Sequence, residues 1–182
     1  ATLELTALNA GGMAAPQLTD ILSRKTQGAN VWNLPIYESW TNTSIIESRQ
    51  PAVSGSHQLV FSFDQPVTGG TVSVVSGIAT VSGISFAGSQ MTVNLTNASD
   101  VQYLTLKLSN IQGIGSVYNG ISAVGLLCGD VDGNLTVNST DLSQVTSWYG
   151  WSILWYLFLN DVNCDGLINT TDQSLVTSKL GH

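Results

Sequence analysis

"VQYLTLKLSN", residues 101–110, decides the fold class. Laid out as an extended chain, it puts Leu104, Leu106 and Leu108 on one face and Tyr103, Thr105 and Lys107 on the other. That period of two belongs to a strand with one side in a core. Similar runs flank it: "HQLVFSFD" (57–64), with Leu59, Phe61 and Phe63 in phase, "GTVSVVSG" (70–77), "IATVSGISF" (78–86), "SQMTVNLTN" (89–97) and "NGISAVGLL" (119–127). Gly, Ser, Asn or Pro separates them at the spacing of an antiparallel sandwich, and helical periodicity is absent. The sequence predicts a mainly β protein, with a β-sandwich over about 15–127.

Composition narrows the function. Charged residues make up 9% of the 182, and the net charge is −7. Asp130, Asp132, Asp141, Asp161, Asp165 and Asp172 are half of the acids and lie in the last third, while the few Lys and Arg are scattered. Nucleic acid, which needs clustered basic residues, is not an expected partner. No apolar stretch is long enough for a transmembrane helix. Low charge with abundant Ser, Thr, Asn and Gly points to a secreted protein, extracellular or on the cell surface, and the start at Ala1 fits removal of a leader. Two histidines, His57 and His182, come without a nucleophile-and-base spacing, phosphate loop or glycine elbow, so no catalytic residues and no enzyme activity are expected. His57 reads as a strand-edge or capping residue, and Asp64 and Glu47 as carboxylates in turn or Arg49 contacts.

The first 14 residues stand apart. "ATLELTALNA" alternates Leu3, Leu5 and Ala7 against Thr2, Glu4 and Thr6, and a Gly11-Gly12 hinge follows. The segment is either an ordinary first strand or an extension that pairs with the sheet of another subunit.

Beyond Leu127 the pattern changes. "DVDGNLTVNSTD" (130–141) and "DVNCDGLINTTD" (161–172) begin 31 residues apart and share Asp at positions 1 and 12 and Asn at 9. Oxygens at positions 1, 3, 5, 9 and 12, with a backbone carbonyl at 7, suit a hard cation that takes six to eight oxygen ligands. The expected Ca2+ ligands are Asp130, Asp132, Asn134, Asn138 and Asp141 with the Thr136 carbonyl, then Asp161, Asn163, Asp165, Asn169 and Asp172 with the Leu167 carbonyl. The alternative is a pair of Asn/Asp-rich turns without metal. Val137 and Ile168, at position 8, should pack the loops together, and "DLSQVTSWY" and "DQSLVTSKL" can each form a helix. Position 6 needs a glycine for its sharp turn; Gly166 supplies it and Leu135 does not, at about 1 kcal/mol for a left-handed leucine. The first site is therefore expected to be the weaker.

Residues 128–182 resemble a type I dockerin, the paired calcium loop-helix module that plugs into cohesin domains. The resemblance implies partner contacts at loop positions 10 and 11, here Ser139/Thr140 and Thr170/Thr171, and a cohesin-like domain as one partner. "SRKTQG" (23–28), "ESRQ" (47–50), "HQLVFSFDQPV" (57–67) and "VNLTNASDVQYLTLKLSNI" (93–111) are similar to an immunoglobulin-like module of secreted bacterial proteins. That family usually has His where Gln27 stands.

Between the two loops lies "WYGWSILWYLFLND" (148–161). Trp148, Tyr149, Trp151, Trp155, Tyr156 and Phe158, with four aliphatics, exceed what so small a module can bury, and an exposed apolar surplus marks an interaction site. The run either packs against the chain's own sandwich, docks on another copy or partner, or offers a sugar platform. Cys128 and Cys164 are expected to form a disulfide between the loops, the alternative being two buried free thiols. Six Asn-x-Ser/Thr acceptors (Asn42, Asn94, Asn97, Asn134, Asn138, Asn169) allow glycosylation. Together these features lead to a non-enzymatic structural protein that self-assembles head to tail into a filament or surface layer. The alternatives are a component docked on a separate cohesin protein and a carbohydrate-binding module.

Overall fold

A computed structural model describes residues 14–38, 43–44, 46–50 and 55–182. Leu3, Leu5, the Gly11-Gly12 hinge and Asn42 lie outside the described residues. The described chain is mainly β: β1 (Leu18–Gln27), β2 (Asn30–Glu38), β3 (Thr43–Ser44), β4 (His57–Phe63), β5 (Gly69–Ser76), β6 (Thr80–Ala87), β7 (Gln90–Thr96), β8 (Gln102–Gln112) and β9 (Val117–Leu126). They form a six-stranded sheet, β3-β2-β1-β4-β7-β6, and a three-stranded sheet, β5-β8-β9, with antiparallel pairing between neighbours.

The alternation in β8 works as expected: Leu104, Leu106 and Leu108 are fully buried and Tyr103 is 57% exposed. Leu59, Phe61 and Phe63 of β4 and Met91, Val93 and Leu95 of β7 meet them in one core. β1 was hidden in the sequence for a physical reason. Its inward positions are Ile21, Ser23, Lys25 and Gln27, all buried, so the alternation is real but three of the four are polar.

A second cluster of buried residues lies past β9 and repeats with the loops. Val131 answers Val162, Val137 answers Ile168, and Val145 answers Val176; all six are buried, with Leu127, Cys128, Leu157 and Ile46 between them. Two helices flank this core, α1 (Ser139–Ser147) and α2 (Thr170–Ser178). Each begins with a capping box: Asn138 with Asp141, and Asn169 with Asp172. The reciprocal bonds satisfy helix N-terminal donors that would otherwise be orphaned.

Residues 46–50 join the two cores. Glu47 pairs in parallel with Leu126 at the outer edge of β9. The Leu127 amide donates to the Glu47 carbonyl (3.1 Å), Gly129 N to Ser48 O (2.8 Å) and Gln50 N to Val162 O (2.7 Å). From the same stretch Arg49, 1% exposed, points inward. Its Nε and Nη2 donate to Glu47 Oε1 and Oε2 (2.9 and 2.7 Å), Nη2 also to Ser23 O (3.0 Å), and Nη1 to Gln27 Oε1 (3.1 Å) and Trp32 O (3.4 Å). The guanidinium has five N–H donors, and five acceptors surround it.

Burial alone would raise the Glu47 carboxyl. The Arg49 and Lys25 charges and the Arg49 hydrogen bonds outweigh it and hold the group at about 2, below its ordinary 4.5. A depressed acid contributes stability that is full above its unfolded pKa and lost as pH falls through the folded one. Stability should therefore decline by about 3 kcal/mol between pH 4.5 and 2 on this account. Glu47→Gln should remove that component of the acid transition and cost about 3–5 kcal/mol at neutral pH, because Arg49 is left buried and unpaired. Urea denaturation across pH 2–7 checks both, and an unchanged acid limb in the variant would refute the assignment.

Candidate metal loops and the junction that holds them

The two loops fold by the same hydrogen bonds. In the first, Asp130 accepts from the amides of Asn134 and Leu135 (both 3.0 Å), and Asp141 from those of Val131, Asp132 and Asn138 (2.9, 3.2 and 2.9 Å). In the second, Asp161 accepts from Asp165 and Gly166 (both 3.1 Å), and Asp172 from Asn163 and Asn169 (3.0 and 2.9 Å). Carboxylates at positions 1 and 12 thus close each loop from both ends.

In the first loop, ligand oxygens of Asp130, Asp132 and Asp141 lie within 4.8 Å of one another. Asp130, Asp161 and Asp172 all have pKa values raised above the carboxylate norm, with burial as the largest cause; Asp161 reaches about 6. The two ion pairs among the described residues, Glu47–Arg49 and Lys179–Asp100, involve neither loop. Converging acids that are costly to ionise and lack a basic partner form a donor set that fits a hard divalent cation. The ninth-position asparagines are placed differently from expectation: Asn138 and Asn169 turn their Oδ1 atoms to cap the helices, on Thr140 N and Thr171 N (both 2.7 Å). The remaining candidates are Asp130, Asp132, Asn134, Asp141 and the Thr136 carbonyl, and Asp161, Asn163, Asp165, Asp172 and the Leu167 carbonyl.

Leu135 adopts the expected left-handed conformation, φ 71°, as does Gly166, φ 98°. Position 4 is left-handed too, in Gly133 (φ 74°) and Cys164 (φ 63°). Each loop therefore has one glycine and one strained L-residue, in opposite order, and strain alone does not make the first site the weaker.

What separates the loops is contact. Leu135 is 56% exposed, whereas Gly166 lies against the β1–β2 turn, where an added Cβ would stand 2.7 Å from Gly28 Cα. Beside that contact Gln27, 1% exposed, donates from Nε2 to Phe158 O (2.7 Å), Asp161 O (2.9 Å) and Asp161 Oδ2 (3.1 Å).

The expected Cys128–Cys164 disulfide is not formed; both are free thiols. Residues 48–50 run between them: Gly129 N bonds Ser48 O on one side, and Gln50 O faces Cys164 Sγ at 3.6 Å on the other. Burial, the largest cause in each, pushes both thiols up to about 12, so neither is poised to react.

The aromatic run divides. Leu157 is buried in the second core, and Phe158 and Leu159 pack on the sandwich core. Phe158 stacks on Trp32 with ring centroids 5.5 Å apart, and Arg49 Cζ sits 5.2 Å from the Phe158 ring centre, within cation–π range. Phe158, expected at an interface between molecules, is thus taken up inside the chain. Trp148 and Tyr149 pack partly on the second core. Trp151, Leu154, Trp155 and Tyr156 stay exposed, Trp155 at 75%.

Ser139, Thr140, Thr170 and Thr171 are exposed, though the Thr171 hydroxyl accepts from Asn163 (2.7 Å). His57 opens β4 as expected of an edge residue. Burial, and then Lys25, lower its pKa to about 4, and Lys25 Nζ lies 3.4 Å from its Nδ1. Asp64 accepts from Gln17 N at 2.8 Å, a turn contact as anticipated.

No family model matches the chain, and no curated protein or solved structure does. The geometry therefore carries the functional reading. Gln27 was the residue that sequence reasoning missed; Ser23, Lys25 and Gln27 on one face of a strand, ahead of "ESRQ", is the pattern that could have revealed a buried polar junction.

Adding Ca2+ on the order of 1 mM to metal-free protein at pH 7 should raise Tm by roughly 5–10 °C, with chelator reversing it. A Tm indifferent to both would exclude the cation. Gly133→Ala, with nothing within 4 Å of the new Cβ, should cost about 1 kcal/mol for backbone strain. Gly166→Ala should cost about 1–3 kcal/mol more, because its methyl meets Gly28; equal costs by thermal denaturation would mean the junction yields freely.

Proposed function

We propose that this chain is a secreted, non-enzymatic structural protein: a sandwich and a dockerin-like calcium module that assemble head to tail into an extracellular filament or surface layer. The observation that carries the reading is the divided aromatic run. Its second half is consumed in joining the two cores. Its first half leaves Trp151, Leu154, Trp155 and Tyr156 exposed together, 41–75% each. Large aromatics on a rigid scaffold are the residues that anchor interfaces. Exposed Leu167, bridged to the run through Ser152, extends the same surface.

A second feature supports joining of copies. β9 is an edge strand, and at its far end Glu47 already occupies the next strand position. Toward its start the position is a cleft of about 380 Å³ lined by Leu18, Ile21, Ile121, Ser122 and Ala123. An alternating strand such as Leu3–Ala7 suits such an edge, with main-chain bonds to β9 and leucines toward Ile21.

The exposure of Ser139, Thr140, Thr170 and Thr171 favours a second reading, docking on a separate cohesin-like partner. A sugar platform has less support, because the contacting exposed ring pairs stand edge to face: Trp155–Tyr156 at 81° and Trp148–Trp151 at 88°.

Electron microscopy tests the assembly. Regular filaments should appear in Ca2+ and fray in chelator. Trp151→Ser with Trp155→Ser, or removal of residues 1–10, should leave dispersed particles with an unchanged circular dichroism spectrum. Wild-type protein that stays dispersed with Ca2+ at high concentration would sink self-assembly and leave the cohesin reading.

A further inference from the structure

The first loop touches solvent where the second touches the sandwich. The backbones of Gly28 and Gly166 meet with no room for a side chain. Gln27 reaches from the last position of β1 to three oxygens, two of them on Asp161, the residue that opens the second loop. Its own Oε1 is held by Arg49 Nη1 at 3.1 Å. Gln27 is buried, so its amide cannot turn away to water. The Asp161 carboxylate thereby has one oxygen fixed by a residue from another part of the fold. In the first loop, Asp130 accepts only amides of its own loop among the described contacts.

From this we infer that the second loop is a composite cation site, with Gln27 as a positioning residue, and that its occupancy, not that of the first loop, sets how firmly the two cores are joined. The inference rests on the calcium reading above. Gln27 holds Asp161 Oδ2 at a fixed angle and leaves the rest of the carboxylate to face the loop. A cation drawing on Asp161, Asn163, Asp165 and Asp172 would stiffen the loop carrying Gly166 and, through Asp161, the Gln27–Arg49–Glu47 chain. Coupling between binding and docking is reciprocal: what tightens the junction tightens the site by the same factor. The first site, with Leu135 in solvent, has no such lever and should bind independently of the junction.

The test uses the full chain, titrated with Ca2+ by calorimetry and followed by hydrogen exchange over residues 23–32 and 46–50. Gln27→Met keeps the volume and removes the amide. It should weaken one of two sites by about tenfold, in the range for loss of a residue that orients a ligand, and leave the other unchanged. Ca2+ should slow exchange across residues 23–32 in wild type and in Asp130→Ala/Asp141→Ala, but not in Gln27→Met. If Gln27→Met does not fold, Gln27→Asn, whose amide stops one methylene short, makes the same comparison. Two unchanged affinities in the variant, or protection that follows the first loop, would overturn the coupling while leaving calcium binding intact. Absence of any Ca2+ binding by wild type would overturn both.

Discussion

A guanidinium with no access to water is tolerable only if every donor finds an acceptor, and Arg49 organises the structure by meeting that demand. Its five partners come from Glu47, Ser23, Gln27 and Trp32, which lie on the 46–50 segment, β1 and β2. Phe158, from the other core, closes the face of the group. None of these can shift alone without stranding a buried charge. The energetic gain of such a pair over apolar packing is small, since desolvation offsets most of the attraction. What the pair imposes is one geometry. Strands β1 and β2, the 46–50 crossing and the 3-10 turn at Phe158–Asn160 must come together in a single way.

That dependence explains which parts of the fold were legible in the sequence. β4, β7 and β8 bury leucines, valines and phenylalanines at every second position, so hydropathy alone reveals them. β1 obeys the same geometry with Ser23, Lys25 and Gln27 at inward positions, and a reader of hydropathy passes over it. The loops were legible because their oxygen spacing is written in side chains. The capping role of Asn138 and Asn169 was not, since an Asn at position 9 suits a ligand and a helix cap equally. The cysteines were misread for want of a third segment: two residues near matching loops suggest a bond until residues 48–50 are found between them.

Near-symmetry in the second core sharpens the contrast between its halves. The valine and isoleucine pairs repeat faithfully because both halves must fill one interior. At position 6 the halves diverge, Leu135 against Gly166, although the backbone there is left-handed in both. A demand for left-handed φ would call for glycine twice. The close approach of Gly28 falls on the second loop only, so only there does steric exclusion add to strain. An exposed leucine bears about 1 kcal/mol of conformational cost, whereas a methyl at Gly166 would press on main chain that cannot move aside.

The same logic accounts for the opening stretch of the run between the loops. Leu157, Phe158 and Leu159 lie where the two cores meet, and their burial follows from the junction. Trp151, Trp155 and Tyr156 precede it, beyond the reach of either core, and touch chiefly one another and Trp148. Edge-to-face rings lend one another some shape, yet they leave most of their surface in water. A free monomer gains little from holding four large apolar side chains there. A chain that meets another copy gains an anchor already set in place, because the turn at Phe158 is clamped by the buried arginine and the outer aromatics inherit its rigidity. Preorganisation of this kind lowers the entropic cost of association. The constraint that joins the two cores inside one molecule is therefore also what readies the exposed half of the run for a contact between molecules.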